Sequence, residues 1–269
     1  MRRPFLALAA LLALAGPLAA QSDAMTRAFE QERRGNYAGA AEAYAEVLRR
    51  SPDNLSALLG LERALTPLRR EAELAAPAEA LLAASPGSVA GYSVAMRGWA
   101  AAGRPDSVAA VAARWAGAEP GSEAPYREWG NTLLAQRDPA SARRAYLTGR
   151  EQLGDPAVLA GELALLAAAE NDWETAAREW ALAVGRYPGY RLTARNALAR
   201  TPANKQADVL RQLTRSTPPA RRLGAELQVQ WGDPADAFTL LMANLPTGND
   251  AVVDALRSEY QAEQMASME

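Results

Sequence analysis

The chain has 269 residues, a formal net charge of −2, no cysteine and no histidine. The lack of cysteine excludes disulfides and thiolate metal sites, and the lack of histidine excludes the Ser-His-Asp triad and the HExxH zinc motif. Alanine occupies 63 positions and phenylalanine 3, so the hydrophobic fraction of 49% consists largely of small side chains. Because alanine is the best helix former, this composition predicts an all-helical protein.

Residues 1–20 differ in composition from the rest of the chain. Arg2 and Arg3 precede an apolar run over residues 5–15, and a Gly-Pro break and small residues follow it. This layout is typical of a secretory signal peptide, with cleavage expected after Ala20 and after Ala24 as the second choice. An uncleaved anchor or a buried core helix is the alternative, although the run is short for a membrane span. We therefore expect a periplasmic protein, or alternatively an extracellular one.

The charge of the remaining chain bears on the class of partner. Removing residues 1–20 takes away two arginines and no acidic residue, which leaves a net charge of −4. A mildly acidic body with scattered charges argues against nucleic-acid binding, which needs a concentrated basic surface. No second apolar segment approaches membrane length, so we expect no membrane span in the mature chain. The sequence also lacks a glycine-rich phosphate-binding loop, and we expect neither a cofactor nor a metal.

An internal period of 34 residues predicts the architecture. Pro52, Pro86, Pro120 and Pro188 lie at multiples of 34 residues, and Gly154 occupies the missing place in the series. Positions counted back from these five reference points also repeat. The residue twelve positions before each reference point is small at Ala40, Val108, Ala142 and Ala176, with Leu74 as the exception. The residue eight positions before is often a large ring, in the series Tyr44, Ala78, Ala112, Tyr146 and Trp180. The residue seventeen positions before is often a turn former, in the series Gly35, Arg69, Gly103, Arg137 and Asn171. The pattern predicts a helix, a tight turn, a second helix and a proline where the second helix ends.

With these residues the chain resembles the tetratricopeptide repeat family, most clearly at Gly35-Asn36-Tyr37, Ala40, Tyr44 and Pro52. The resemblance implies an all-α fold, a right-handed superhelical α-solenoid of 34-residue helix-turn-helix repeats. Five repeats are expected in residues 21–190, with the bounds 21–54, 55–88, 89–122, 123–156 and 157–190.

Two parts of the chain depart from the repeat pattern. Pro67 and Pro77 fall inside or near the helices of the second repeat, where they predict a kinked or shortened helix. Beyond residue 190 the period is lost, and residues 191–248 are expected to form degenerate helical repeats. We expect residues 249–269 to form a C-terminal capping helix and tail, because a repeat array needs a polar outer end.

The resemblance also implies where a ligand binds. In this family the first helix of each repeat faces a concave groove, which would place Arg63, Arg97, Arg127, Asn131 and Arg195 on that surface. Guanidinium groups beside apolar patches suit an extended peptide that carries carboxylates, or a C-terminus. Ordinary solubilising surface charge is the alternative explanation of these arginines.

Three functional hypotheses follow. The first is a periplasmic scaffold or adaptor that holds a protein or peptide in its groove, in assembly or coordination of the cell envelope. The second is a structural spacer or self-associating assembly factor without a dedicated peptide site; the oligomeric state is left open. The third, a carboxylate-dependent enzyme, has little support, because each acidic pair lies on a plausible solvated helix face. We therefore expect no enzymatic activity.

Overall fold

The computed structural model describes residues 23–232, and every regular element in that range is a helix. This confirms the predicted all-α fold. The α-helices are α1 (residues 23–33), α2 (Tyr37–Arg50), α3 (Leu55–Leu65), α4 (Ala75–Ala84), α5 (Val89–Ala101), α6 (Pro105–Ala118), α7 (Ala124–Ala135), α8 (Pro139–Leu153), α9 (Ala160–Ala169), α10 (Trp173–Arg186), α11 (Arg191–Leu198), α12 (Ala203–Thr214) and α13 (Pro218–Gln230). Short 3-10 helices cover Thr66–Leu68, Glu71–Leu74 and Pro188–Tyr190.

The chain divides into two compact units, Met1–Ala145 and Tyr146–Glu269. The described part of unit 1 contains α1 to α7 and the start of α8. The described part of unit 2 contains the rest of α8 and α9 to α13. None of the helices within residues 23–232 combines the length and the apolar character that a membrane crossing requires.

The turns inside the repeats share one backbone feature. Each of the five positions that the 34-residue period marks as a turn has a positive φ, between 56° and 72°: Gly35, Arg69, Gly103, Arg137 and Asn171. A single left-handed residue reverses the chain in so short a connection, and glycine or asparagine adopts that conformation most easily. At Arg69 and Arg137 a larger side chain accepts the same conformation.

The repeat prolines mark helix ends, as the period predicts. Pro52, Pro86 and Pro120 lie in turns after α2, α4 and α6, and Pro188 begins a 3-10 helix after α10. Five of the helix starts within residues 23–232 are capped by a side chain that accepts a backbone N–H three residues on: Asn36, Asn54, Ser88, Asp138 and Asp172. These caps satisfy donors that have no partner within the helix.

The core of unit 1 is built from the small and ring positions of the repeats. Ala40 and Tyr44 of α2 are fully buried. Gly60 of α3 lets that ring approach closely, because a Cβ there would lie 2.4 Å from the Tyr44 ring carbon Cε1. Tyr92 of α5 stacks on Trp115 of α6, with ring centroids 5.5 Å apart.

The core of unit 2 follows the same rule. Tyr146 and Trp180, at the ring position, are 0% and 1% exposed, and the small residue Ala176 is fully buried. Gly161 of α9 lies against the Trp180 ring. The burial of these two rings confirms that they fill space between packed helices.

The second repeat is irregular, as its prolines predict. The helix α3 ends at Leu65, two 3-10 segments follow, and α4 is shortened to 10 residues. Pro77 is tolerated because it lies in the first turn of α4, where a backbone N–H has no helical partner. We refer to residues 66–74 as the irregular connection.

The Asp155-Pro156 pair does not begin a helix, although an N-cap acceptor before proline is typical of a helix start. The helix α9 begins only at Ala160, after Leu159 in the left-handed conformation. The Asp155 side chain instead accepts the Ala157 N–H at 2.7 Å within a turn.

After residue 190 the helices α11, α12 and α13 lie in the segment that was expected to be helical without the 34-residue period. The predicted signal peptide and its cleavage site lie outside the described residues. Residues 233–248 of the degenerate segment and the capping segment 249–269 also lie outside them.

Candidate functional site

The first helices of unit 1 carry ion pairs that connect successive repeats. Arg63 of α3 donates from Nε and Nη2 to the two carboxylate oxygens of Glu32 of α1, at 2.8 and 3.1 Å. The buried Tyr44 hydroxyl donates to the same carboxylate at 2.6 Å. One cluster therefore joins α1, α2 and α3.

The next repeat repeats this arrangement. Arg97 of α5 donates from Nε and Nη2 to both oxygens of Glu62 of α3, at 2.7 and 3.1 Å. Its Nη1 donates to Oε1 of Glu128 of α7 at 3.0 Å. The guanidinium of Arg97 thus pairs with two carboxylates from two neighbouring repeats.

These contacts shift the ionisation of the groups involved. The hydrogen bond from Arg63 lowers the pKa of Glu32, although partial burial opposes the shift. Burial and the hydrogen bond to Glu32 raise the pKa of Tyr44 to about 12. Burial alone would lower the pKa of Arg97, but its bonds and charge interactions with Glu62 and Glu128 outweigh burial and raise it.

A cavity of about 660 Å³ opens on this surface of unit 1. Its walls come from α3, α5, α7 and the irregular connection. The lining residues are Glu62, Thr66, Arg69, Glu71, Leu74, Arg97, Ala101, Glu128, Asn131, Thr132, Ala135 and Gln136. We call it the first-helix cavity. Its volume lies within the range of about 300–1,000 Å³ that is usual for ligand sites.

The structure does not bring all five predicted site residues together. Arg97 and Asn131 line the first-helix cavity, whereas Arg63 and Arg127 are not in its lining. Arg127 of α7 donates to Glu123, the residue just before that helix, at 2.8 Å. Arg195 belongs to unit 2, where it is half-buried on α11 and forms no ion pair with any residue between 23 and 232.

The ion pairs change the expected electrostatics of the surface. Arg63 and Arg97 were expected to offer guanidinium groups to a partner, but each is already bonded by carboxylates of this chain. The cavity lining contains three carboxylates, from Glu62, Glu71 and Glu128, and two guanidinium groups, from Arg69 and Arg97. Its charged side chains therefore carry a net negative charge.

A second cavity of about 660 Å³ lies in unit 1 and is lined by residues of α1 to α4 and of the irregular connection. Its charges balance, with three arginines and three glutamates: Arg27, Arg49, Arg70, Glu42, Glu46 and Glu73. Several of these groups pair with one another, as Arg27 does with Glu46 at 3.1 Å and Arg70 with Glu73 at 2.6 Å. We call it the balanced cavity.

The arginines of the first helices were predicted from the sequence as surface residues of the groove, whereas the acidic residues around them were not. Arg63, Arg97 and Asn131 occupy the same position in three successive repeats. Glu62 lies one residue before Arg63, and Glu128 lies three residues before Asn131. That neighbourhood was a usable signal. The 34-residue period gave no signal that Glu71, in the irregular connection, and Thr132, on α7, line the same cavity.

No family model matches this sequence, and no curated protein matches it. Several solved structures are similar. A tetratricopeptide repeat protein from Parabacteroides merdae is 11% identical, with 90% of this chain and 99% of that chain covered and a TM-score of 0.44. PilF from Pseudomonas aeruginosa is 15% identical, with 92% and 99% covered and a TM-score of 0.40. MamA from Desulfovibrio magneticus is 14% identical, with 49% and 75% covered and a TM-score of 0.37.

Proposed function

We propose that this chain, an array of tetratricopeptide-type repeats, is a protein-interaction scaffold whose first-helix cavity binds an extended segment of a partner protein. The observation that carries the proposal is the cavity itself, which three successive first helices and the irregular connection enclose. A site that spans several repeats suits a chain segment that runs across them.

The cavity lining has the chemistry that such a segment needs. The amide side chains of Asn131 and Gln136 are exposed and line the cavity, and amides both donate to and accept from a peptide backbone. Ala101 and Ala135 are exposed and supply apolar surface between the polar groups. The combination of apolar contact with a few directed polar groups is usual for binding sites.

We propose that this scaffold is not an enzyme. Two carboxylates of the cavity, those of Glu62 and Glu128, both accept hydrogen bonds from Arg97. Such a pairing fixes the two groups in a structural ion network. A spacer or self-associating protein is the competing proposal, and a molar mass from light scattering that exceeds one chain would favour it.

We further propose that the scaffold acts in the periplasm, in assembly or coordination of the cell envelope. This rests on the composition of residues 1–20, with its basic start and apolar run. Fractionation of the producing cell and the N-terminal sequence of the purified protein test this part separately. Recovery from the cytoplasm with residues 1–20 intact would contradict it.

The binding proposal is tested by crosslinking in the producing cell. A photoreactive amino acid replaces Gln136, an exposed cavity residue, and in a matched control it replaces Glu151, which is exposed on α8. We expect a specific protein adduct from position 136 and not from position 151. Equal adducts at both positions, or none at position 136, would contradict binding in this cavity.

A further inference from the structure

From the charges and the polar groups of the first-helix cavity, we infer that its partner segment is basic: a lysine or arginine side chain of the partner enters the cavity and binds Glu71, Glu128 and Thr132. The inference rests on the proposed function and adds the chemistry of the partner.

The carboxylates of Glu71 and Glu128 keep oxygens that no residue between 23 and 232 bonds. Glu128 bonds Arg97 through Oε1 only, and its Oε2 accepts no hydrogen bond within the described part of the chain. Glu71 is half-buried at the start of its 3-10 helix and forms no ion pair there either. A cation that enters the cavity thus meets carboxylate oxygens that the protein itself has not used.

The second step is the basic groups that compete for them. Arg97 directs its guanidinium at Glu62 and at one oxygen of Glu128, so it is not available to a ligand carboxylate. Arg69 is exposed, and it forms no ion pair with Glu71, which lies two residues away. An acidic segment would find one guanidinium outside these ion pairs, that of Arg69, because using Arg97 would cost the bonds that it already makes with Glu62 and Glu128.

The third step is an independent polar group. Thr132 of α7 lines the cavity although the residue is only 5% exposed. Its hydroxyl has no hydrogen-bond partner among residues 23–232, whereas the Thr66 hydroxyl on the same cavity bonds the Glu62 carbonyl at 2.9 Å. The Thr132 hydroxyl oxygen can therefore accept a hydrogen bond from an ammonium or guanidinium N–H that enters the cavity.

These groups match a basic side chain in number and kind. An ammonium has three donors and a guanidinium has five, and neither has an acceptor. The carboxylates of Glu71 and Glu128 and the hydroxyl oxygen of Thr132 can each accept a hydrogen bond from such a cation. The exposed apolar residues Ala101 and Ala135 of the lining suit the aliphatic stem that carries the charge.

The test begins with a library of random seven-residue peptides, displayed between fixed neutral flanks and selected against the full-length protein. We expect the selected peptides to be enriched in lysine or arginine at one position. One such peptide is then titrated by fluorescence anisotropy against the wild type, Glu71→Gln, Glu128→Gln and Thr132→Val. The matched control is Glu151→Gln, an exposed glutamate without an ion pair among the described residues.

Each cavity variant should bind the basic peptide about tenfold to a hundredfold more weakly, since a hydrogen bond to a charged group is lost, and the control should change affinity less than twofold. Circular dichroism of each variant establishes that the fold is retained. Replacing the selected lysine or arginine of the peptide by uncharged glutamine should weaken binding to a similar extent.

The alternative outcomes separate the inference from the proposed function. Enrichment of aspartate or glutamate would overturn the basic partner and leave the binding function standing. Basic peptides whose affinity is the same for the wild type, Glu71→Gln and Glu128→Gln would overturn the assignment to this cavity. No enrichment over a surface without protein would contradict both.

Discussion

A buried ion pair in unit 2 provides the sharpest test of how the helices are held together. Arg150, near the end of α8, donates from Nη1 and Nη2 to the two carboxylate oxygens of Glu179 of α10, at 3.1 and 2.6 Å. Its Nε and Nη2 also donate to the Val158 carbonyl oxygen, both at 3.2 Å. The two charged side chains are only 18% and 10% exposed. One guanidinium thus joins α8, the connection to α9, and α10.

The magnitude follows from this burial. Replacing Arg150 by methionine keeps most of the stem but leaves the Glu179 carboxylate and the Val158 carbonyl without their donor. Removing one partner of a buried ion pair costs about 3–5 kcal/mol. We expect the free energy of unfolding of Arg150→Met to fall by about 3 kcal/mol or more.

The companion variants separate a lost pair from a lost side chain. Glu179→Leu alone should also destabilise, but the double variant Arg150→Met/Glu179→Leu should lose about 1–3 kcal/mol less than the sum of the two single variants. Arg178→Ala is the matched control, because this exposed arginine of α10 bonds the Thr175 hydroxyl one turn away. Its cost should stay below about 0.5 kcal/mol.

Urea denaturation followed by circular dichroism measures these free energies. A loss below about 1 kcal/mol for Arg150→Met would refute the assignment of a buried, tightly bonded pair. Strictly additive effects of the two substitutions would show that the side chains do not act together.

Three further predictions concern the turns and rings of the repeats. Tyr44→Phe should destabilise by about 1.5–3 kcal/mol because the hydroxyl bond to the Glu32 carboxylate is lost; unchanged urea denaturation would contradict that bond. Since the pKa of Tyr44 is raised to about 12 from 10.0, its contribution is complete below pH 10 and disappears as the pH rises through about 12, so the wild type should lose its advantage over Tyr44→Phe in that interval. Arg137→Gly should stabilise by about 0.5–1 kcal/mol, because glycine adopts its φ of 62° without strain, whereas Arg137→Ala should bring no gain. Trp180→Ala should cost about 3–5 kcal/mol, and a midpoint of thermal unfolding close to that of the wild type would contradict its burial.

Much of the fold was predictable because it depends on local chemistry that recurs. A proline that ends a helix and a residue that accepts a positive φ act within a few residues of their own position, and the 34-residue spacing repeats them. This is why Pro86 and Pro120 lie in turns and why Asn171 and Arg137 lie at left-handed positions.

The candidate site was less predictable because its contacts join residues far apart in sequence. The pairing of Arg97 with Glu62 and Glu128 spans 35 and 31 residues and depends on side-chain rotamers. The shape of the cavity depends on the irregular connection, whose prolines predicted a disruption but not its two 3-10 segments. The arginines were therefore found, whereas their engagement by this chain's own carboxylates was not.

Binding of a partner segment in the first-helix cavity of unit 1 can be measured most directly from the backbone amide resonances of the full-length protein. When a selected peptide is added, we expect the affected amides to cluster in residues 62–74, 97–101 and 128–136. A cluster around the balanced cavity on α2 and α4, or in α9 to α13 of unit 2, would contradict it.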